Sequence, residues 1–309
     1  MSATPLEPQA PVKLEEILMR AWRLFRANVI TALPIAVLTA ITFAIIASVA
    51  AAVVLALAPG QLALATAQSQ LPTLHAAHAG ASRGESVPAS VIWLAVGVWL
   101  AAVVVGCCAQ AWIYAVIYGL ANAQWESGSA TLAAGFSAGC KRFGAVFVSG
   151  IGFVGLAIAA LVLALPTLFL SFLALVLFTM YVLPAAVGGG RAGFAAIRES
   201  FQLVRHAFGT SAIALLILWA IQQGISFLAV PFILPLQFGF MFSAANNDPT
   251  PHVALWLIAV AAGGYVLIIG ASCAYVGYMA LVQTGLYHAL RARQEIAVAT
   301  SSVPAIPQP

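Results

Sequence analysis

Between Phe143 and Val187 the chain carries almost no polar side chain. One crossing of a bilayer takes roughly 20 apolar residues, and this run is far longer. Pro166–Thr167 is its only natural break, so the run reads as a tight hairpin of two spans, about 143–164 and 168–187. Composition extends the argument to the whole chain. Of 309 residues, 63% are hydrophobic and 6% charged, with mean hydropathy +1.05. A soluble domain carries about 25% charged residues. The class is an all-α, polytopic membrane helical bundle. Further apolar runs at 29–58, 91–121, 210–234 and 253–283 bring the expectation to about six spans. They form a single membrane domain over 13–295, between proline-bearing disordered tails at 1–12 and 296–309.

The stretch Tyr181–Thr210, YVLPAAVGGGRAGFAAIRESFQLVRHAFGT, organises the rest. It leaves an apolar run at Pro184, turns on Gly188–Gly190 and forms an amphipathic helix. Phe194, Ile197, Phe201, Val204 and Phe208 recur at steps of three and four and share one face, while Arg198, Gln202 and Arg205 take the other. Such a helix suits a membrane surface, with rings in the acyl boundary and guanidiniums among lipid phosphates. Residues 13–28 read as a second helix of this kind. Leu14, Ile17, Ala21 and Phe25 lie on one face, and Lys13, Glu16, Arg20 and Arg23 on the other, with Glu16 placed to pair with Arg20. This leader is too long and too mixed in charge for a secretory signal, so an uncleaved N-terminus is expected. In the span behind it, Ala32, Ala36, Ala40, Ala44, Ser48 and Ala52 form a small-residue stripe.

The intervening segments read as surface. Residues 59–90 are an outer loop, 126–142 a surface segment ending at Lys141–Arg142, and 236–252 a loop with Asn246, Asn247 and Asp248. Trp93 and Trp99 at one end of the second span, and Trp112, Tyr114, Tyr118 and Trp125 at the other, fit interface belts. With both termini in the cytoplasm, the inner side collects eleven Lys and Arg residues and the outer side only Arg83, as the positive-inside rule requires. This asymmetry accounts for the pI near 9.0 without nucleic acid. A weak repeat fits the same map. AWRLFRANV (21–29) aligns with SFQLVRHAF (200–208), pairing Trp22 with Phe201, Leu24 with Leu203 and Arg26 with Arg205, and AGCKRFGAVF (138–147) is a looser copy.

The Tyr181–Leu218 stretch resembles the recurring segment of the glycerophosphoryl diester phosphodiesterase membrane-domain family. It has the Pro-ended span, the Gly-rich turn, an A-x-x-x-S helix over about 195–200 that ends in Leu-Val-Arg, and a following span. Leu281–Glu295, LVQTGLYHALRARQE, is similar to that family's ending, where a Tyr precedes an Arg-x-Arg-x-Glu tail. The turn departs from the family in having no acidic residue before its glycines. The resemblance covers about residues 130–296 and implies a membrane fold, not a reaction. It is to the membrane part only, without the soluble phosphodiesterase domain that can accompany it.

Chemistry-bearing patterns are sparse. None of the eight carboxylates (Glu7, Glu15, Glu16, Glu85, Glu126, Glu199, Asp248, Glu295) falls in an expected span, which argues against a proton-coupled pump or an acid-based metal site. Glu199 is expected to pair locally. Metal-assisted phosphodiester hydrolysis needs clustered carboxylates and histidines, and His75 and His78 alone supply two ligands. The span serines have no neighbouring base. Cys107, Cys108, Cys140 and Cys273 lack metal or redox spacing and read as small buried hydrophobes. Gln222, Gln223 and Ser226 form a polar patch inside a span, either interhelical glue or a substrate contact; Gln110, Gln283 and His288 are read alike. The basic residues Arg20, Arg23, Arg26, Lys141, Arg142, Arg191, Arg198 and Arg205 are candidates for lipid-headgroup or partner contact. The expectation is a non-enzymatic protein of a bacterial-type inner membrane, without metal or cofactor, that engages anionic lipid or a membrane partner. The alternative is a small-solute or lipid transporter.

Overall fold

The computed structural model describes residues 13–34, 36–37, 89–164, 167, 170–246 and 251–301. These are helical, with no strand among them. In order they form α1 (Leu14–Ala27), a 3-10 turn (Val29–Ala32), α2 (Ala89–Ser127), α3 (Leu132–Ala164), α4 (Leu170–Phe178), α5 (Val182–Val187), α6 (Phe194–His206), α7 (Phe208–Asn246) and α8 (Pro251–Ser301). The chain groups into two compact units, residues 1–36 with 110–309, and residues 37–109.

Among the described residues, five stretches are long and apolar enough to cross a membrane: Val104–Ser127, Leu132–Ala164, Leu170–Val187, Phe208–Phe232 and Val266–Ile296. The protein is thus an all-α, multi-pass membrane bundle. The expected first span, its alanine stripe, the 59–90 loop and Arg83 lie largely outside the described residues. Three expected segments turn out differently. The 126–142 surface segment is only a turn at 128–131, after which α3 runs unbroken from Leu132, because nothing between Leu132 and Ala164 breaks a helix. α7 continues past Pro231 and Pro235 to Asn246, since neighbouring groups in a membrane protein re-satisfy the backbone that proline frees. α8 continues to Ser301, past the expected start of the tail at 296.

The α3–α4 hairpin is stitched by hydroxyls: Thr167 Oγ1 donates to the Leu163 carbonyl at 2.6 Å, and Ser171 Oγ to the Ala160 carbonyl at 2.9 Å. Pro184 explains the break between α4 and α5. Its ring clashes with the carbonyl four residues back and it has no N–H to donate, so the helix yields at Thr179–Tyr181. α6 repairs the gap. Ser200, fully buried, donates to the Phe178 carbonyl at 2.6 Å and accepts from the Tyr181 N–H at 3.1 Å. Tyr181 Oη in turn meets Ser211 Oγ at 2.9 Å. Three helices are pinned by one serine.

Glycines bring α2 against its neighbours. A Cβ at Gly119, Gly135 or Gly139 would overlap Ala138, Leu120 or Val116 respectively, and one at Gly285 of α8 would overlap the Trp125 ring. This close approach buries Tyr118, whose hydroxyl donates to Gln283 Oε1, and leaves Trp125 8% exposed. These two residues therefore belong to the interior and not to an interface belt. Cys273 is buried, but Cys107 and Cys140 are exposed, because their sides of α2 and α3 face outward.

Candidate functional site

Gly188, Gly189 and Gly190 end α5, and each stands where a polar side chain from another helix comes close. A Cβ on Gly188 would be 2.8 Å from Asn122 Oδ1 of α2; one on Gly189 would overlap the Tyr287 hydroxyl of α8; one on Gly190 would be 3.1 Å from Arg142 Nη1 of α3. Gly190 also has φ +67°, which side chains disfavour. Around this turn, Glu199 of α6 lies 3.2 Å from Arg191 Nε and accepts from Tyr287 Oη at 2.7 Å. Arg291 donates through Nη1 to the same hydroxyl at 3.0 Å and through Nε to Glu295 at 3.0 Å. The network ties the start and first turns of α6 to α8. Its members satisfy one another, which is what a fastening requires.

The hydrogen bonds continue one residue along α8. His288 Nε2 meets Asn122 Oδ1 at 2.8 Å, and Asn122 Nδ2 donates to Glu126 Oε1 at 2.9 Å. A carboxylate can only accept, so the amide turns its NH2 to Glu126 and its oxygen to His288; a neutral imidazole then carries its proton on Nε2. His288 and Glu126 also line an open cleft of about 690 Å³ between α1, the end of α2 and α8. Lys13, Glu16 and Arg20 form its α1 wall, Trp125 lies on the α2 side, and Arg293 belongs to the α8 side. Arg20 is held from two directions: its Nη2 donates to the Trp125 carbonyl at 2.9 Å, and its guanidinium carbon lies 4.4 Å from the Trp125 ring centre. Lys13 pairs with Glu16 at 3.1 Å.

The basic residues singled out in the sequence thus separate into two groups. Arg20 lines the cleft, and Arg142 and Arg191 lie at the glycine turn. Arg23, Arg26, Lys141, Arg198 and Arg205 lie at neither place and are exposed, as Arg20 and Arg191 also are. Two expected local pairings change: one gives way to longer-range partners, the other to a different local one. Glu199 reaches Arg191 and Tyr287 because it projects from α6 toward α8, and Glu16 takes Lys13 because Arg20 is committed to Trp125. Asn122, Trp125, Tyr287 and Arg291 were not singled out as site residues. The i, i+4 spacing of Tyr287 and Arg291 within LYHALRARQE is the one signal that points to two of them.

Gln222 and Gln223 are half-buried, and Ser226 is exposed and donates to the Gln222 carbonyl at 3.0 Å. Among the described residues no polar group from another helix is bonded to them. Gln283 and His288, by contrast, bond across to α2. No three His, Cys, Asp or Glu side chains among the described residues converge as metal ligands would. No protein-family model, curated protein or solved structure matches the chain.

Proposed function

We propose that this multi-pass membrane protein is non-enzymatic and holds anionic lipid headgroups through its basic amphipathic helices, in a bacterial-type inner membrane with both termini in the cytoplasm. The observation behind this reading is the surface of α6. Phe194 and Phe201 are 76% and 46% exposed, and Phe208, at the start of α7, is 55% exposed. Arg198 and Arg205, also exposed, lie beside them around the helix. The opposite side, Ala196, Ser200, Leu203 and Val204, is buried in the protein. Exposed rings next to exposed guanidiniums suit the boundary between acyl chains and phosphates, where each Arg or Lys adds about 1 kcal/mol toward an anionic leaflet. The eleven-to-one charge asymmetry supports the orientation.

Native mass spectrometry of the protein extracted with its surrounding membrane tests the reading. The wild type should retain acidic lipid, and the double variant Arg198→Gln, Arg205→Gln should retain clearly less. Equal retention by both would sink it. A co-extracted protein lost on the same substitutions would move the reading from lipid to a membrane partner.

A further inference from the structure

We infer that the cleft between α1, α2 and α8 is a discrete site for one phosphate ester, with Arg20 as its anchor. This rests on the proposal that basic residues meet anionic headgroups, and adds to it a particular ligand class and a particular place. The volume, about 690 Å³, lies in the 300–1,000 Å³ range roughly typical of small-molecule sites. Arg20 is pre-organised, because Trp125 fixes it through both carbonyl and ring. A guanidinium already held in place gives up little further freedom when an anion binds. Its Nε and Nη1 have no partner among the described residues, so each can donate a charge-assisted hydrogen bond to a phosphate oxygen. Lys13, paired with Glu16, and Arg293 are the further cations of the lining.

Of the two carboxylates of the cleft, one is charge-paired and the other accepts a hydrogen bond from an amide. Glu16 has Lys13 at 3.1 Å, and Glu126 has the Asn122 amide at 2.9 Å. Location decides between phosphate and other anions. Trp125 lies two residues from the end of the apolar stretch Val104–Ser127, where a crossing helix meets the phosphate plane of a lipid layer. The apolar stretch of α8, Val266–Ile296, has 31 residues, about 46 Å at 1.5 Å per residue against a hydrocarbon layer of about 30 Å. Its last turns, which carry His288 and Arg293, therefore extend to the headgroups or beyond.

A phosphate ester at this position can be a phospholipid headgroup or a soluble phosphate monoester. The full chain in maltoside micelles free of phospholipid separates the two. One arm titrates phosphatidylglycerol and counts bound lipid by native mass spectrometry; the other titrates methyl phosphate and follows the thermal midpoint. Arg20→Gln should weaken binding about tenfold, the effect of one charge-assisted hydrogen bond. Ala289→Phe, which fills the cleft without changing charge, should weaken it likewise. Glu16→Gln should tighten it by freeing Lys13. Dependence on Arg20 and Ala289 in the lipid arm assigns the site to a headgroup, and in the methyl phosphate arm to a soluble ester. Binding unchanged by Arg20→Gln and Ala289→Phe, in variants with wild-type thermal midpoints, overturns the cleft site. If that unchanged binding still falls with Arg198→Gln and Arg205→Gln, the proposed lipid function survives without the cleft; if no variant alters it, both fail.

Discussion

α1 and α6 are built on one pattern and used in two ways. Ala21 and Ser200, aligned in the sequence repeat, are both fully buried; Trp22 and Phe201, next in line, are 50% and 46% exposed. Phe25 and Val204 are buried, and Arg26 and Arg205 exposed. Even the aromatic role is shared, since Trp22 meets Tyr278 edge-on at 6.0 Å and Phe201 stacks on Phe178 at 4.6 Å. The looser copy at 138–147 has no such place, for it lies within α3. The difference between the two helices is in their polar groups. α6 spends Ser200 and Glu199 on bonds to α4, α5 and α8, and little polar capacity near its core remains uncommitted. α1 has no counterpart to that serine; it is held on α8 by Phe25, Trp22 and Tyr278, and its cations border an open cleft. The same pattern gives a fastening where a buried hydroxyl and a half-buried carboxylate reach other helices, and borders an open cleft where they are absent.

Substitutions can break this contrast at several strengths. Gly189→Ala should have the largest effect, because its Cβ would strike the Tyr287 hydroxyl and stand 2.7 Å from the Ala185 carbonyl. Overpacking of this kind costs about 3 kcal/mol, to be read from unfolding in detergent; wild-type stability would mean the turn is looser than described. Ser200→Ala should cost about 2 kcal/mol, since the Phe178 carbonyl and the Tyr181 N–H lose their shared partner in a buried place. The matched change in α1, Ala21→Gly, removes one methyl and should cost about 1 kcal/mol through helix propensity and lost packing. A larger loss there than at Ser200 would reverse the comparison. Tyr287→Phe should cost about 1 kcal/mol, as Glu199 keeps Arg191 and Arg291 keeps Glu295. Arg23→Gln with Arg26→Gln should move stability by no more than about 0.5 kcal/mol, the usual scale for exposed positions. Any change from that pair should appear in acidic-lipid retention instead.

Much of the fold was legible because it depends on local pattern and on the solvent. A bilayer forces the backbone into helices, so long apolar runs could be assigned without a structure, and the α3–α4 hairpin and the helix after Gly188–Gly190 follow from breakers and period. Helix ends were less legible. The start of α3 at Leu132 and the passage of α7 through Pro231 and Pro235 depend on what surrounds those residues. The candidate site was legible only in part. Arg20, Arg142 and Arg191 stood out as charges in an apolar chain, whereas Asn122, Trp125 and Tyr287 looked like ordinary span-end residues.

The sequence by itself determined that this is a multi-pass helical membrane protein, because hydropathy acts over neighbours; packing divided the face expected on α6, burying Val204 and leaving Phe194 and Phe201 exposed beside Arg198 and Arg205. Only the tertiary structure decided which charges are used up and which remain available. Glu199 finds Tyr287 across 88 positions and Asn122 finds His288 across 166. No local period reports contacts between residues so far apart. Packing alone turns two similar helices into a closed network and an open cleft.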